Sequence, residues 1–268
     1  MNLLTFIRVL PARWRLIWPL AKNDFQSRYA SSQLGIFWAF FRPVLMAAVY
    51  IFVFTIIARS GPVGNQYPYA LWMLPGLLVW FVFSDSLSAG TNTLTEYSYL
   101  VKNIRFSISI LPDVKVAANF IAHTIFIIMI MLLYLIWGLP IKIFMIQLPY
   151  YYFATFCFTL ALTRVISAIQ PFFKDLSIAM ELILMVGVWM CPIMWDIGIL
   201  SSNPTLMTIV KANPLYYLVN GYRESFMGEL WVWNHPVQTV GFWILTLVLD
   251  LGGRKLFRRL SPHFADVM

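Results

Sequence analysis

The chain has 268 residues, 60% of them hydrophobic and only 11% charged, with a formal net charge of +8 and a mean hydropathy of +0.76. Soluble domains carry about a quarter charged residues, so this composition excludes a water-soluble enzyme and specifies an integral membrane protein. The basic residues sit at the ends of apolar segments, where anionic lipid headgroups meet them, which excludes nucleic acid as a partner.

Residues 1–268 read as one all-α, polytopic membrane domain of six spans, each needing roughly 20 residues. Residues 1–34 carry Arg8, Arg13, Arg15, Lys22 and Arg28. Leu3, Ile7, Leu10, Trp14 and Ile17 recur there at helical spacing. This predicts an amphipathic helix lying on the cytosolic membrane face, which Pro11 and Pro19 are expected to break into short pieces. No secretory signal is expected here.

The first span covers 35–58 and holds Arg42 about 10 Å from its start, where it either snorkels to headgroups or contacts an anion on the entrance side. A turn-rich outer connection leads to the second span, 69–89, which holds Trp80 and Phe81. Pro75 and Gly76 predict a kink there, and Asp85 falls near the inner end.

Residues 95–115 form the longest charge-bearing interruption. Glu96, Lys102, Arg105, Asp113 and Lys115 alternate with Tyr97, Tyr99, Leu100, Ile104 and Phe106. That mixture suits a short helix half sunk in another protein's surface.

The third span, 116–137, contains Asn119 and His123, and a lone His there is expected to hydrogen-bond a neighbouring helix. The fourth, 143–163, begins near the run Tyr150, Tyr151, Tyr152, which predicts an interfacial aromatic belt. After Arg164, Lys174 and Asp175 comes the fifth span, 176–195, where Glu181 could pair with Arg164 or Arg42, and which also holds Trp189. Residues 196–235 are divided by Pro204, Pro214, Gly198, Gly221 and Gly228 into pieces too short to cross. They predict outer re-entrant half-helices lining an exit, or else a loop on the outer leaflet. The last span, 236–252, is expected to stop at Arg254, Lys255, Arg258 and Arg259.

In this layout fifteen of the nineteen Lys and Arg residues fall inside, leaving only Arg59, Lys142, Lys211 and Arg223 outside. That asymmetry predicts a multi-pass protein with both termini cytosolic. Cys157 and Cys191 have no nearby His or Cys, so neither a disulfide nor a metal site is expected. The chain has no phosphate-cradling loop, no HExxH helix and no nucleophile–base arrangement. It is therefore not expected to be an enzyme by itself, and its docking loop points to a separate ATPase as the energy source.

Three blocks, SRYASSQLGIFWAFFRPVLMAAVYIFVFTII (27–57), LPGLLVWFVFSDSLSAGTNTLTEYSYLVKNIRFSISILPDVK (74–115) and NPLYYLVNGYRESFMG (213–228), carry a resemblance. They resemble the permease subunit of type-2 ATP-binding-cassette exporters of cell-surface polysaccharides, above all the teichoic acid translocation branch. The resemblance implies two permeases paired with two cytosolic ATPase subunits in the bacterial cytoplasmic membrane. Each ATPase would hold a coupling helix, here about Glu96 to Phe106, through Glu96, Tyr97, Tyr99, Leu100, Lys102 and Arg105. The interface helix would be Leu3 to Pro19 and the re-entrant helices Asp196 to His235. No cofactor is implied for this chain; ATP and Mg²⁺ would bind the partner.

The implied cargo is a polyprenyl-pyrophosphate-linked polymer, wall teichoic acid, extruded or flipped along an aromatic-lined path. Arg42, Trp80, Phe81, Arg164, Trp189 and Tyr217 are the candidates for that path. The alternatives are an O-antigen or capsular polysaccharide permease, a drug-exporting permease of the same fold and, more distantly, a membrane-embedded glycosyl or acyl transferase using Asp196, Glu224 and Glu229.

Overall fold

A computed structural model describes residues 3–30, 32–57, 61, 67–101, 108–139, 142–228 and 230–267. The described residues form helices, in chain order, α1 (Leu3–Ser27), α2 (Phe37–Ile51), α3 (Tyr69–Thr91), α4 (Thr93–Glu96), α5 (Ser98–Val101), α6 (Leu111–Ile136), α7 (Leu148–Ile169), α8 (Leu176–Met190), α9 (Pro204–Ala212), α10 (Pro214–Met227), α11 (Pro236–Leu260) and α12 (Phe264–Val267). Five helical stretches are long and apolar enough to cross a membrane: Phe37–Ile57, Tyr69–Thr91, Ile108–Ile136, Ile143–Ile169 and Pro236–His263. The protein is thus an all-helical polytopic membrane protein.

Buried apolar residues occur on every side of α3, which is the signature of a central helix. It is 78% buried across its most apolar window, whereas the α2 stretch is 0% buried. Around α3 stand α6, α7, α8 and α10, and α11 lies along α7. At one end, called the base here, Leu94, Leu111, Ala168, Phe257 and Phe264 form one cluster. That cluster gathers the α3–α4 junction, the start of α6 and the ends of α7 and α11. α1 lies against the foot of α6, with Ile17, Ala21 and Phe25 packed on Ile110, Val114, Ala117 and Ala118.

Several sequence expectations need correction. α1 is one continuous helix rather than several pieces. Burying Ile17, Ala21 and Phe25, at ~1.5–3 kcal/mol for each large side chain, offsets the backbone hydrogen bond that Pro19 forfeits. α11 runs through its basic residues to Leu260 instead of stopping at 252, and Asp250 holds Arg254 one turn later at 2.8 Å. α8 ends at Met190, and its 15 residues reach roughly 22 Å, short of a hydrocarbon core of about 30 Å. The cause is Pro192. It drives Cys191 into extended backbone, ψ 136°, because the residue before a proline is crowded out of the helical region.

The backbone beyond α8 is buried and irregular, and α10 supplies its partners. α9 and α10 each start with a proline behind an asparagine cap: Asn203 accepts from the Leu206 amide and Asn213 from the Leu215 amide. Arg223 of α10 donates to the carbonyls of Pro192 at 2.7 Å and Ile193 at 2.6 Å, and its guanidinium lies 3.6 Å from the centre of the Trp72 ring. α10 approaches α7 so closely that a Cβ on Gly221 would fall 2.0 Å from the Tyr151 ring. The tyrosine run is accordingly no belt. Tyr151 is fully buried, Tyr150 bonds Tyr217 at 2.8 Å, and Tyr152 bonds Thr124 at 2.9 Å.

Candidate functional site: a polar chamber above the base

A chamber of about 600 Å³ opens between α1, α2, α3 and α6. Its walls include Arg28 and Tyr29 below, Trp38 and Arg42 from α2, Trp80, Phe81 and Asp85 from α3, and Lys115, Asn119 and His123 from α6, with Glu96 at its edge. Three of the residues expected along a substrate path, Arg42, Trp80 and Phe81, therefore meet in one cavity. Trp80 is fixed by α8, since Gly187 leaves only 2.9 Å between its notional Cβ and the Trp80 ring. His123 bonds the Tyr222 hydroxyl at 2.8 Å, so it is tied to a neighbouring helix as its isolation in the sequence predicts.

Beneath the chamber, Asp24 of α1 collects four donors. Arg28 reaches one carboxylate oxygen with Nε at 3.0 Å and Nη2 at 2.6 Å. Lys115 at 2.7 Å and the Tyr97 hydroxyl at 2.6 Å bond the other. Lys115, 1% exposed, is also 2.8 Å from both oxygens of Glu96 and 4.8 Å from the centre of the Tyr97 ring. Arg28 then continues to Asn119 at 2.6 Å, and Asn119 to Ser86 at 3.3 Å.

Burial alone would push the Asp24 carboxyl up. The Arg28 charge and the hydrogen bonds from Lys115 and Tyr97 outweigh burial and hold it below its ordinary value. Burial, followed by its hydrogen bond to Asp24, raises the Tyr97 hydroxyl.

This network alters the picture of the loop. Instead of one helix from Glu96 to Phe106, the described part consists of two single turns, α4 and α5. They break at Tyr97, which has φ −101° and ψ 30°, because its side chain turns inward to Asp24. Tyr99 points the other way and is 67% exposed. Lys102, Arg105 and the side chain of Leu100 lie outside the described residues.

The remaining candidates lie elsewhere. Arg164 donates to both oxygens of Asp113 at 2.8 and 2.7 Å and also to Asp250. It belongs to an ion-paired knot joining α6, α7 and α11. Glu181, expected as its partner, is exposed on α8. Trp189 is 54% exposed on the outer face of α8, and Tyr217 is buried, bonded to Tyr150 and Thr239. Neither faces the chamber. Sequence reasoning missed Asp24 as the hub. Its only local signal was the i, i+4 spacing to Arg28.

The family model described as ABC-2 type transporter matches residues 15–227. An O-antigen export system permease protein RfbA from Myxococcus xanthus is 25% identical over 251 residues, covering 94% of each chain. Two O-antigen export system permease proteins RfbA from Klebsiella pneumoniae are each 24% identical, covering 93% of each chain. These relatives are named for O-antigen, not for teichoic acid. A match over this much of the sequence assigns the chain to the ABC-2 type transporter family, as a membrane permease component.

Proposed function

We propose that this chain is the permease subunit of an ATP-driven exporter of a lipid-linked cell-surface polysaccharide, with the base facing the cytosol. The observation that carries this reading is that Glu96 and Lys115 belong to two places at once. They line the chamber, and they clamp the loop that a cytosolic ATPase would push. A displacement of α4 and α5 pulls on Lys115 and Asp24, and through Arg28 and Asn119 it reaches the chamber wall. No catalytic group is required of this chain, because ATP and Mg²⁺ are handled by the partner.

The full-length likeness to RfbA permeases favours an O-antigen-type polymer over wall teichoic acid. Aromatic walls such as Trp38, Trp80 and Phe81 suit sugar rings, which stack on them without being gripped by fixed charge. The working unit is two copies of the chain with two ATPase subunits.

The test is reconstitution of the chain with its ATPase in vesicles loaded with lipid-linked polysaccharide. ATP-dependent appearance of the polymer on the far side supports the proposal. ATP turnover with no polymer moved, for O-antigen and teichoic acid alike, overturns it.

A further inference from the structure

On the face of α6 turned away from the chamber, a groove of about 570 Å³ runs between α1, α6 and α7. Trp14 and Trp18 of α1, Ala117 and Ile125 of α6, and Phe153 of α7 are among its walls. Those walls are interlocked. Trp14 meets Phe156 edge-on at 5.9 Å, Phe156 meets Phe120 at 5.0 Å, and Phe120 meets Tyr152 at 5.2 Å. The groove is therefore preformed, and an occupant does not have to order it. Its two hydroxyls, on Thr124 and Tyr152, bond each other at 2.9 Å, so the surface left for an occupant is apolar. α6 and α7 are both long and apolar enough to cross a membrane, which places hydrocarbon at the mouth of the groove. The α1 edge carries charge. At about 100° per residue, Lys22 and Arg15 lie about 40° and 60° around α1 from Trp18, on the side away from the seam where Ile17, Ala21 and Phe25 are buried. Both are exposed. From Ala117 to Ile125 the α6 wall climbs roughly 12 Å away from the base.

We propose that this groove is a site for an anionic phospholipid of the bilayer, with one acyl chain between α1, α6 and α7 and the phosphate against Arg15 and Lys22. A phospholipid brings hydrocarbon to the apolar walls and an anion to the basic edge in one molecule, in the order in which the groove presents them. A second copy of the chain would have to set its own apolar surface beside those two cations. The site has a consequence for the hub. α1 contributes Trp14 and Trp18 to the groove and Phe25, Arg28 and Tyr29 to the chamber, with Asp24 on the same helix. A lipid that holds the first part of α1 against α6 and α7 therefore steadies the part that carries Asp24. The anionic lipid content of the membrane thus sets how firmly the Asp24 network is held, whatever cargo the protein moves.

The test uses the full-length chain in phosphatidylcholine nanodiscs, with phosphatidylglycerol bearing a photoreactive acyl chain as probe. Its adducts should concentrate on residues 117–125 and 152–156, and unlabelled phosphatidylglycerol should displace it about tenfold better than phosphatidylcholine does. Replacing both cations, Arg15→Gln with Lys22→Gln, should leave the adducts in place and abolish the preference between the two lipids, a pattern that misfolding does not produce. Ile125→Trp fills the groove and should remove those adducts while the exposed faces of α8 and α11 are labelled as before. Amides of α1 should exchange with deuterium more slowly in discs containing phosphatidylglycerol than in phosphatidylcholine alone, and Ile125→Trp should erase that difference. Adducts spread evenly over the apolar faces overturn the proposal, because the groove then holds only bulk bilayer lipid. So do equal displacement by the two lipids and α1 exchange that is the same in both discs. Disulfide-linked dimers formed through Ile125→Cys also overturn it, since they seat a second copy on the groove.

Discussion

Arg42 and Arg164 both interrupt apolar helices, yet the molecule treats them oppositely. Arg164 is surrounded by charge, with Asp113 and Asp250 accepting from it and Arg254 closing the far side of Asp250. Arg42 opens into the chamber with its hydrogen-bonding capacity unused by the described residues. A charge in a membrane helix announces a cost; whether the protein meets it internally or leaves it for a ligand depends on what the fold brings opposite. The ion-paired knot holds α6, α7 and α11 at the base, and the chamber provides a place where something can bind.

The sharpest way to break this contrast is to remove each guanidinium. Arg164→Met leaves the buried Asp113 carboxylate without its cation, while Asp250 keeps Arg254, and such losses cost ~3–5 kcal/mol. A large fall in the thermal midpoint of the detergent-solubilised protein, or loss of folded material, is expected. Arg42→Gln should keep the midpoint and lose export in the reconstituted complex. The opposite pairing of outcomes would reverse the roles assigned to the two arginines.

A finer cut is Arg42→Lys, which keeps the charge but loses the planar fork that holds two phosphate oxygens at once. Export should fall about tenfold with membrane insertion intact, measured on the same vesicles. Unchanged export would make Arg42 a lipid anchor.

The loop offers the same contrast between two tyrosines. Tyr99 is exposed and Tyr97 is tied inward to Asp24. Tyr99→Ala should therefore weaken co-purification with the ATPase, at ~2 kcal/mol for a buried interface aromatic. Tyr97→Phe should leave assembly unaffected. Normal assembly of Tyr99→Ala would show that the loop docks elsewhere.

How much of this was legible in the chain follows from the reach of each signal. Hydropathy found the long apolar helices because a segment's apolarity is a property of that segment alone. It overestimated α8, since the effect of Pro192 on Cys191 is local but the carbonyls it exposes are met by Arg223, which the charge count placed in an outer loop. Arg42, Trp80 and Phe81 were found as separate residues and converge in one chamber. Arg164, Trp189 and Tyr217 looked the same in sequence and do not. The Asp24–Lys115 pair joins residues 91 positions apart, and no spacing rule reaches across that distance. Only pairs one helical turn apart, such as Asp24–Arg28 and Asp250–Arg254, leave a mark that the sequence alone can show.

The smallest expected effect tests the hub itself. Because Asp24 titrates below its ordinary value, the stability it contributes is fully present above the unfolded carboxyl range of about 3.9 and is lost as pH falls through the lower folded value. Tyr97→Phe removes one hydrogen bond to that carboxylate, an interaction with a charged acceptor worth ~1.5 kcal/mol. At neutral pH the variant should unfold at a slightly lower temperature than the wild type, with the gap constant down to about pH 5. Below that the gap should narrow, because a protonated Asp24 is a weaker acceptor and the wild type then loses most of what the variant already lacks. Thermal midpoints of both proteins across an acid series measure the gap directly. If it stays constant to the point where both proteins unfold, the Tyr97 hydroxyl does not report on the charge of Asp24, and the loop is held to α1 by Lys115 bridging Glu96 and Asp24 instead.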